Sequence, residues 1–197
     1  IAEGRIFIAD DGGRLHAFDL ASGKLVWSSE NIAASWVPAY QNGVLFVPGS
    51  DERTTAISAD DGTIVWQTEP PAEWFESLNL IVTDDAVIAI GEISSARALD
   101  PATGELLWAA DLGQAIGIDP HAGGDTLYIR RMDSTFAAFS LEDGSLLATT
   151  GPYMAVGSTA AISGNMLFLS GLGGTIRAFG PVAGTTQEVV ATPPVER

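Results

Sequence analysis

Residues 17–27 read "AFDLASGKLVW", and residues 98–108 read "ALDPATGELLW". The two strings share Ala, Asp, Gly and Trp at the same offsets, with apolar residues between them. Such an echo within 197 residues points to an internal repeat, which decides architecture before any other feature is weighed. Anchored on the glycine, the element recurs at Gly23, Gly62, Gly104, Gly144 and Gly184, at spacings of 39, 42, 40 and 40 residues. Six residues before each glycine stands an alanine: Ala17, Ala56, Ala98, Ala138 and Ala178. The units run approximately over residues 1–30, 31–70, 71–111, 112–151 and 152–192, a single repeat array covering nearly the whole chain.

Each unit reads as strands. Runs such as "RIFIA" (5–9) and "VLFV" (44–47) are short, rich in β-branched and aromatic residues, and bounded by Gly, Asn or Asp. The links "DDGG" (10–13), "DDGT" (60–63) and "EDGS" (142–145) carry tight-turn chemistry. No segment sustains the 3.6-residue apolar period of a helix. Four short antiparallel strands in about 40 residues describe a propeller blade, so the expected fold is an all-β propeller with five repeats visible.

The shared residues then have architectural work. The alanines fit where neighbouring blades approach closely and a larger side chain would crowd. Asp19 and Asp100, just before a turn, are placed to accept backbone N–H bonds. The glycines Gly23, Gly62 and Gly104 take a turn conformation that other residues resist. Trp27, Trp66 and Trp108 offer a flat ring to pack between one blade and the next, with an N–H seeking an acceptor.

This set resembles the quinoprotein-type repeat, the tryptophan-docking blade of pyrroloquinoline-quinone dehydrogenases and their non-enzymatic relatives. The family pattern is roughly A-x-D-x-x-T-G-x-x-x-W. Residues 98–108 match it throughout, Thr103 included, and residues 17–27 match with Ser22 for threonine. Residues 56–66 keep Ala56, Gly62 and Trp66 but carry Ser58 and Asp61; the fourth unit has Ser140 and Ala148, and the fifth keeps only Ala178 and Gly184. The resemblance implies a ring of seven or eight blades, of which this stretch would be a segment. The other reading is a five-bladed ring closed by the C-terminal "TPPVER". The opening "IAEGRIFIAD" is expected to be a trimmed start, already inside structure.

Composition excludes several functions. Twenty-five acidic residues against nine basic ones give a net charge of −16, which phosphate backbones and anionic lipid surfaces repel. Nucleic-acid partners are therefore not expected. No apolar run approaches the ~18 residues of a membrane-spanning helix. Without cysteine there is no disulfide and no thiolate metal ligand. His16 and His121 are the only histidines, and each reads as a satisfied strand or loop residue. The acidic turns lack the D-x-D-x-D-G spacing of a calcium loop, and no G-x-S-x-G marks a nucleophile.

Two function classes remain. The resemblance implies, for its enzymatic members, a quinone with a calcium or lanthanide ion, held by Glu, Asn and Asp ligands with an Asp base, and in many members a disulfide of adjacent cysteines against the quinone. That disulfide is impossible here, and only Glu76 and Asn79 in "WFESLNLIV" pair a carboxylate with an asparagine beside aromatics. The favoured reading has no cofactor, no metal and no catalytic residue. It is a scaffold for ligand sensing or for a protein or peptide partner, basic or neutral in charge, placed by the resemblance in the periplasm or outside the cell. Loops gathered at the blade ends would carry recognition, with Trp36, Trp74, Phe75 and Tyr153 as the aromatic candidates.

Overall fold

Glycine-bounded runs of β-branched and aromatic residues pair with their immediate neighbours in the chain, since a tight turn leaves an antiparallel hairpin as the nearest way to satisfy the backbone. The computed structural model describes all residues except 31, 36, 72–76, 92–94, 114–119, 132–134, 151–154, 165, 172–174, 183–184 and 192–197. Among the described residues there are nineteen strands and no helix, and so no helix long and apolar enough to cross a membrane.

The chain divides into two compact units, residues 1–109 and 110–197. The first contains a three-stranded sheet, β1 (Arg5–Ala9), β2 (Leu15–Asp19) and β3 (Leu25–Ser29). Beside it lies a four-stranded sheet, β4 (Ala39–Gln41), β5 (Val44–Pro48), β6 (Thr54–Ser58) and β7 (Ile64–Gln67). A third sheet is made of β8 (Ser77–Val82), β9 (Val87–Gly91), β10 (Ser95–Leu99) and β11 (Leu106–Asp111), whose last strand runs over the unit boundary. The second unit contains β12 (His121–Gly123), β13 (Thr126–Arg130), β14 (Phe136–Ser140) and β15 (Leu146–Thr149). Its other sheet is β16 (Ala155–Ser163), β17 (Met166–Gly171), β18 (Thr175–Val182) and β19 (Thr185–Ala191). Every sheet is an antiparallel meander in chain order.

Register explains the alanines more closely than blade spacing alone. Phe7, Ala17 and Trp27 stand in one cross-strand row, and Phe46, Ala56 and Trp66 repeat it. With only a methyl group in the middle, the outer two rings lean over it and meet, at centroid distances of 5.9 and 5.8 Å. A larger central side chain would hold them apart. In the second unit the row is Tyr128, Ala138 and Ala148, so the tryptophan is missing. There Tyr128 packs with Phe136, Leu167, Leu169 and Phe179 instead, and burial pushes its phenol up to about 12.

The outer strands β3, β7 and β15 carry a bulge at a fixed place, whereas β19 pairs with β18 in unbroken register. The register shifts between Ala17 and Phe18, between Ala56 and Ile57, and between Ala138 and Phe139. An extra residue there breaks strict alternation, which is why Leu25 and Val26, Ile64 and Val65, and Leu146 and Leu147 are exposed as consecutive pairs.

The departures from the motif preserve its turn chemistry. Asp100 Oδ1 accepts the N–H of Ala102 and Thr103 at 2.9 and 2.8 Å and the Thr103 hydroxyl at 3.0 Å. In the second repeat Ser58 and Asp61 stand where the motif has Asp and Thr, and Asp61 Oδ1 accepts from the N–H and hydroxyl of Thr63 beyond the glycine, at 3.1 and 2.8 Å. The Thr103 N–H thus holds Asp100, and the Thr63 N–H holds Asp61, below the usual carboxylate range. Asp19 and Asp143 are lowered chiefly by the hydroxyls of Ser22 and Ser145. Because these pKa values are depressed in the folded state, the stability they contribute is full above the unfolded value. It is lost as pH falls from about 5 towards the folded values. Asp100→Asn is expected to flatten the decline of the urea midpoint between about pH 5 and pH 2. An unchanged slope would remove the turn carboxylate from the account.

Candidate functional site

The motif residues converge on the seams between sheets. The Trp27 ring leaves the first sheet and lies on the turn of the second, where its Nε1 donates to the Ala59 carbonyl at 3.0 Å. Trp66 does the same one repeat later, donating to the Pro101 carbonyl at 2.9 Å. Under each ring is the motif glycine. A methyl group at Gly62 would stand 2.6 Å from Cε3 of Trp27, and one at Gly104 would stand 2.6 Å from Cε3 of Trp66. Both glycines have positive φ, +77° and +75°. They therefore serve a turn that disfavours a side chain and a floor that has no room for one.

Two further contacts reinforce the first seam. Arg5 donates to the same Ala59 carbonyl at 2.5 Å, and its guanidinium lies 3.3 Å from Asp60. Ser29 Oγ donates to the Gly62 carbonyl at 2.9 Å. Around these bonds pack Leu15, Ala17, Ile32, Leu45, Val47 and Ile57, all buried. Trp66 has the equivalent company of Phe46, Ala56, Val87 and Leu99. Trp108 lies half-buried on β11.

Spacing picked out Trp27 and Trp66 but not the role of the glycine beneath each ring. The floor belongs to the next repeat, 35 or 38 residues further along the chain, so no single motif copy contains both halves of the contact. The signal available was that glycine and tryptophan recur together.

Trp36, Trp74, Phe75, Tyr153 and Glu76 lie outside the described residues. Asn79 is half-buried on β8. Among the described residues, no group of three or more His, Asp or Glu side chains is arranged to hold a metal.

A cleft of about 290 Å³ opens within the first unit, between the second and third sheets. Its walls include Glu52, Gln67 and Glu69 on one side and Arg97, Leu99 and Glu105 on the other. Gln67 is fixed in place, accepting from Arg53 at 3.1 Å and donating to Thr55 Oγ1 at 2.9 Å. Glu52, Glu69 and Glu105 stand against Arg97, with the Arg53 guanidinium 3.9 Å from Glu69, so the lining keeps a small negative balance, and Ala89 and Leu106 add apolar surface. That combination suits a long basic side chain, whose stem prefers apolar contact and whose head prefers carboxylate.

The repeat motif and the antiparallel meander sheets place the chain among the β-propeller proteins of PQQ-like repeats. Residues 1–95 and 92–190 match the family described as outer membrane protein assembly factor BamB, and the chain belongs to that family. It is similar to outer membrane protein assembly factor BamB of Bordetella pertussis, with 28% identity over 195 residues covering 95% of this chain. The chain spans 40% of that relative's length. The crystal structure of BamB from Moraxella catarrhalis superposes with a TM-score of 0.66 at 20% identity, over 95% of this chain and 62% of that one. A quinohemoprotein alcohol dehydrogenase from Pseudomonas putida has a TM-score of 0.70 at 14% identity, covering 98% of this chain and 41% of its own. Both structural likenesses are likenesses of fold.

Proposed function

We propose that this chain supplies blades of a seven- or eight-bladed scaffold whose role is to bind protein partners in outer membrane protein assembly, on the periplasmic side of that membrane, rather than to carry a quinone-dependent reaction. The observation that carries this reading is the match to the assembly-factor family over residues 1–95 and 92–190. The physical support is that the repeated tryptophans Trp27 and Trp66 and the glycines Gly62 and Gly104 join one sheet to the next, while the repeated alanines and aspartates hold their own sheet and turn. On that surface, the acid-lined cleft between the second and third sheets is the place for a basic side chain of the partner. No quinone or metal is required.

The test is rescue. Expressed as the full-length protein in a bacterium deleted for its own assembly factor, it is expected to restore the amount of folded outer membrane protein. A parallel sample of purified protein is heated with and without pyrroloquinoline quinone and calcium. Failure of rescue together with a raised melting temperature and alcohol-dependent dye reduction would replace the scaffold with a quinone-dependent dehydrogenase.

A further inference from the structure

Ile8 of β1, His16 of β2 and Ser28 of β3 face one another in a single row across the first sheet. The His16 imidazole is bonded at both ends: Nδ1 lies 2.7 Å from Ser28 Oγ, and Nε2 lies 2.9 Å from Asp10 Oδ2. Asp10 is itself fixed by the turn that follows β1. Its Oδ1 accepts the N–H groups of Gly12 and Arg14 at 2.9 and 3.0 Å, and its Oδ2 accepts Arg14 Nε at 2.9 Å. The second guanidinium nitrogen is 2.8 Å away. The His16 bond, followed by the Arg14 contacts, holds this carboxyl well below the usual carboxylate range.

An ionised carboxylate only accepts, so the nitrogen facing it carries the hydrogen. In the neutral imidazole, Nδ1 is then the free lone pair, and it points at the Ser28 hydroxyl. This is the relation of nucleophile, base and orienting acid that activates a serine. Access agrees with it: Ser28 is exposed, while the His16 side chain is 19% exposed and the Asp10 side chain 27%. Ile8, 50% exposed, stands opposite His16 on β1, and the Phe18 ring lies 6.2 Å from the imidazole, so apolar surface borders the base.

We infer that Ser28 is a reactive serine toward small activated carboxylic esters, with His16 as its base and Asp10 as a positioning residue. In the step, Ser28 Oγ bonds to the ester carbonyl carbon while its proton passes to His16 Nδ1. The carbon–oxygen bond to the leaving group then breaks, and the departing alkoxide takes that proton to leave as the alcohol. The acyl group remains on Ser28 until water, giving up a proton to His16, hydrolyses it to the carboxylic acid. This activity is independent of the scaffold reading and lies on the first sheet, away from the cleft.

The test uses an alkyl fluorophosphonate on the full-length protein, with the labelled residue located by peptide mapping. Ser28 attacks phosphorus, fluoride departs with the proton, and a stable adduct remains. Ser28 is expected to be the labelled serine, and His16→Gln is expected to slow labelling by about 100-fold or more at an unchanged melting temperature. Asp10→Asn, measured alongside so that one misfolded variant does not decide the matter, is expected to slow it by at least about tenfold. No adduct at Ser28, or equal rates in wild type and both folded variants, would overturn the inference.

Discussion

Trp66→Ala is expected to destabilise the unit of residues 1–109 by about 3–5 kcal/mol, the range for removing a large aromatic side chain from a packed core. The ring is 9% exposed. It packs with Phe46, Ala56, Val87 and Leu99, so its loss leaves a void bordered by two sheets that cannot both collapse into it. The Pro101 carbonyl also loses its donor, adding about 1 kcal/mol. The neighbouring Val65, 51% exposed on the same strand, provides the contrast. Val65→Ala is expected to change stability by less than about 0.5 kcal/mol. Urea unfolding followed by circular dichroism measures both, and comparable losses would mean that the seam is not held by the ring.

Gly104→Ala is the second large effect, at about 2–5 kcal/mol. One part is backbone strain, since φ is +75° and an L-residue in that region costs about 1–2 kcal/mol. The other part is overpacking: the new methyl would stand 2.6 Å from Cε3 and 2.8 Å from Cδ2 of Trp66, and pushing the ring aside costs about 1–3 kcal/mol. Gly23 separates the two. It has nearly the same φ, +68°, but nothing within 4 Å of where a Cβ would be. Gly23→Ala should therefore show only the strain, about 1–2 kcal/mol. Equal losses at Gly23 and Gly104 would leave no role for the ring above.

These pairs show what a sequence of this kind discloses. Strands, turns and docking tryptophans were legible because each rests on local chemistry repeated at a fixed spacing. A β-branched run between Gly and Asp needs no distant partner to be read. The second role of Gly62 and Gly104 was not legible, because the ring that requires it comes from the preceding repeat. The alanines were assigned to close approach of blades, whereas the register shows Ala17 and Ala56 lying between two rings of their own sheet. Ser58 and Asp61 depart from the motif, yet Asp61 and Thr63 tie the same turn by another acid–hydroxyl bond, one that spans Gly62. His16 read as a satisfied strand residue; only the strand register brings Ser28 and Asp10 to its two nitrogens. Function was least legible of all, since a motif spent on joining sheets says nothing of what the finished surface meets.

The most direct test of blade joining is a double-mutant cycle on Trp66 and Gly104. If the glycine is needed because the ring rests on it, Gly104→Ala should cost about 2–5 kcal/mol in the wild type but only the backbone strain of about 1–2 kcal/mol in Trp66→Ala. The same penalty in both backgrounds would contradict the account, leaving the glycine a turn residue and the repeat without its seam.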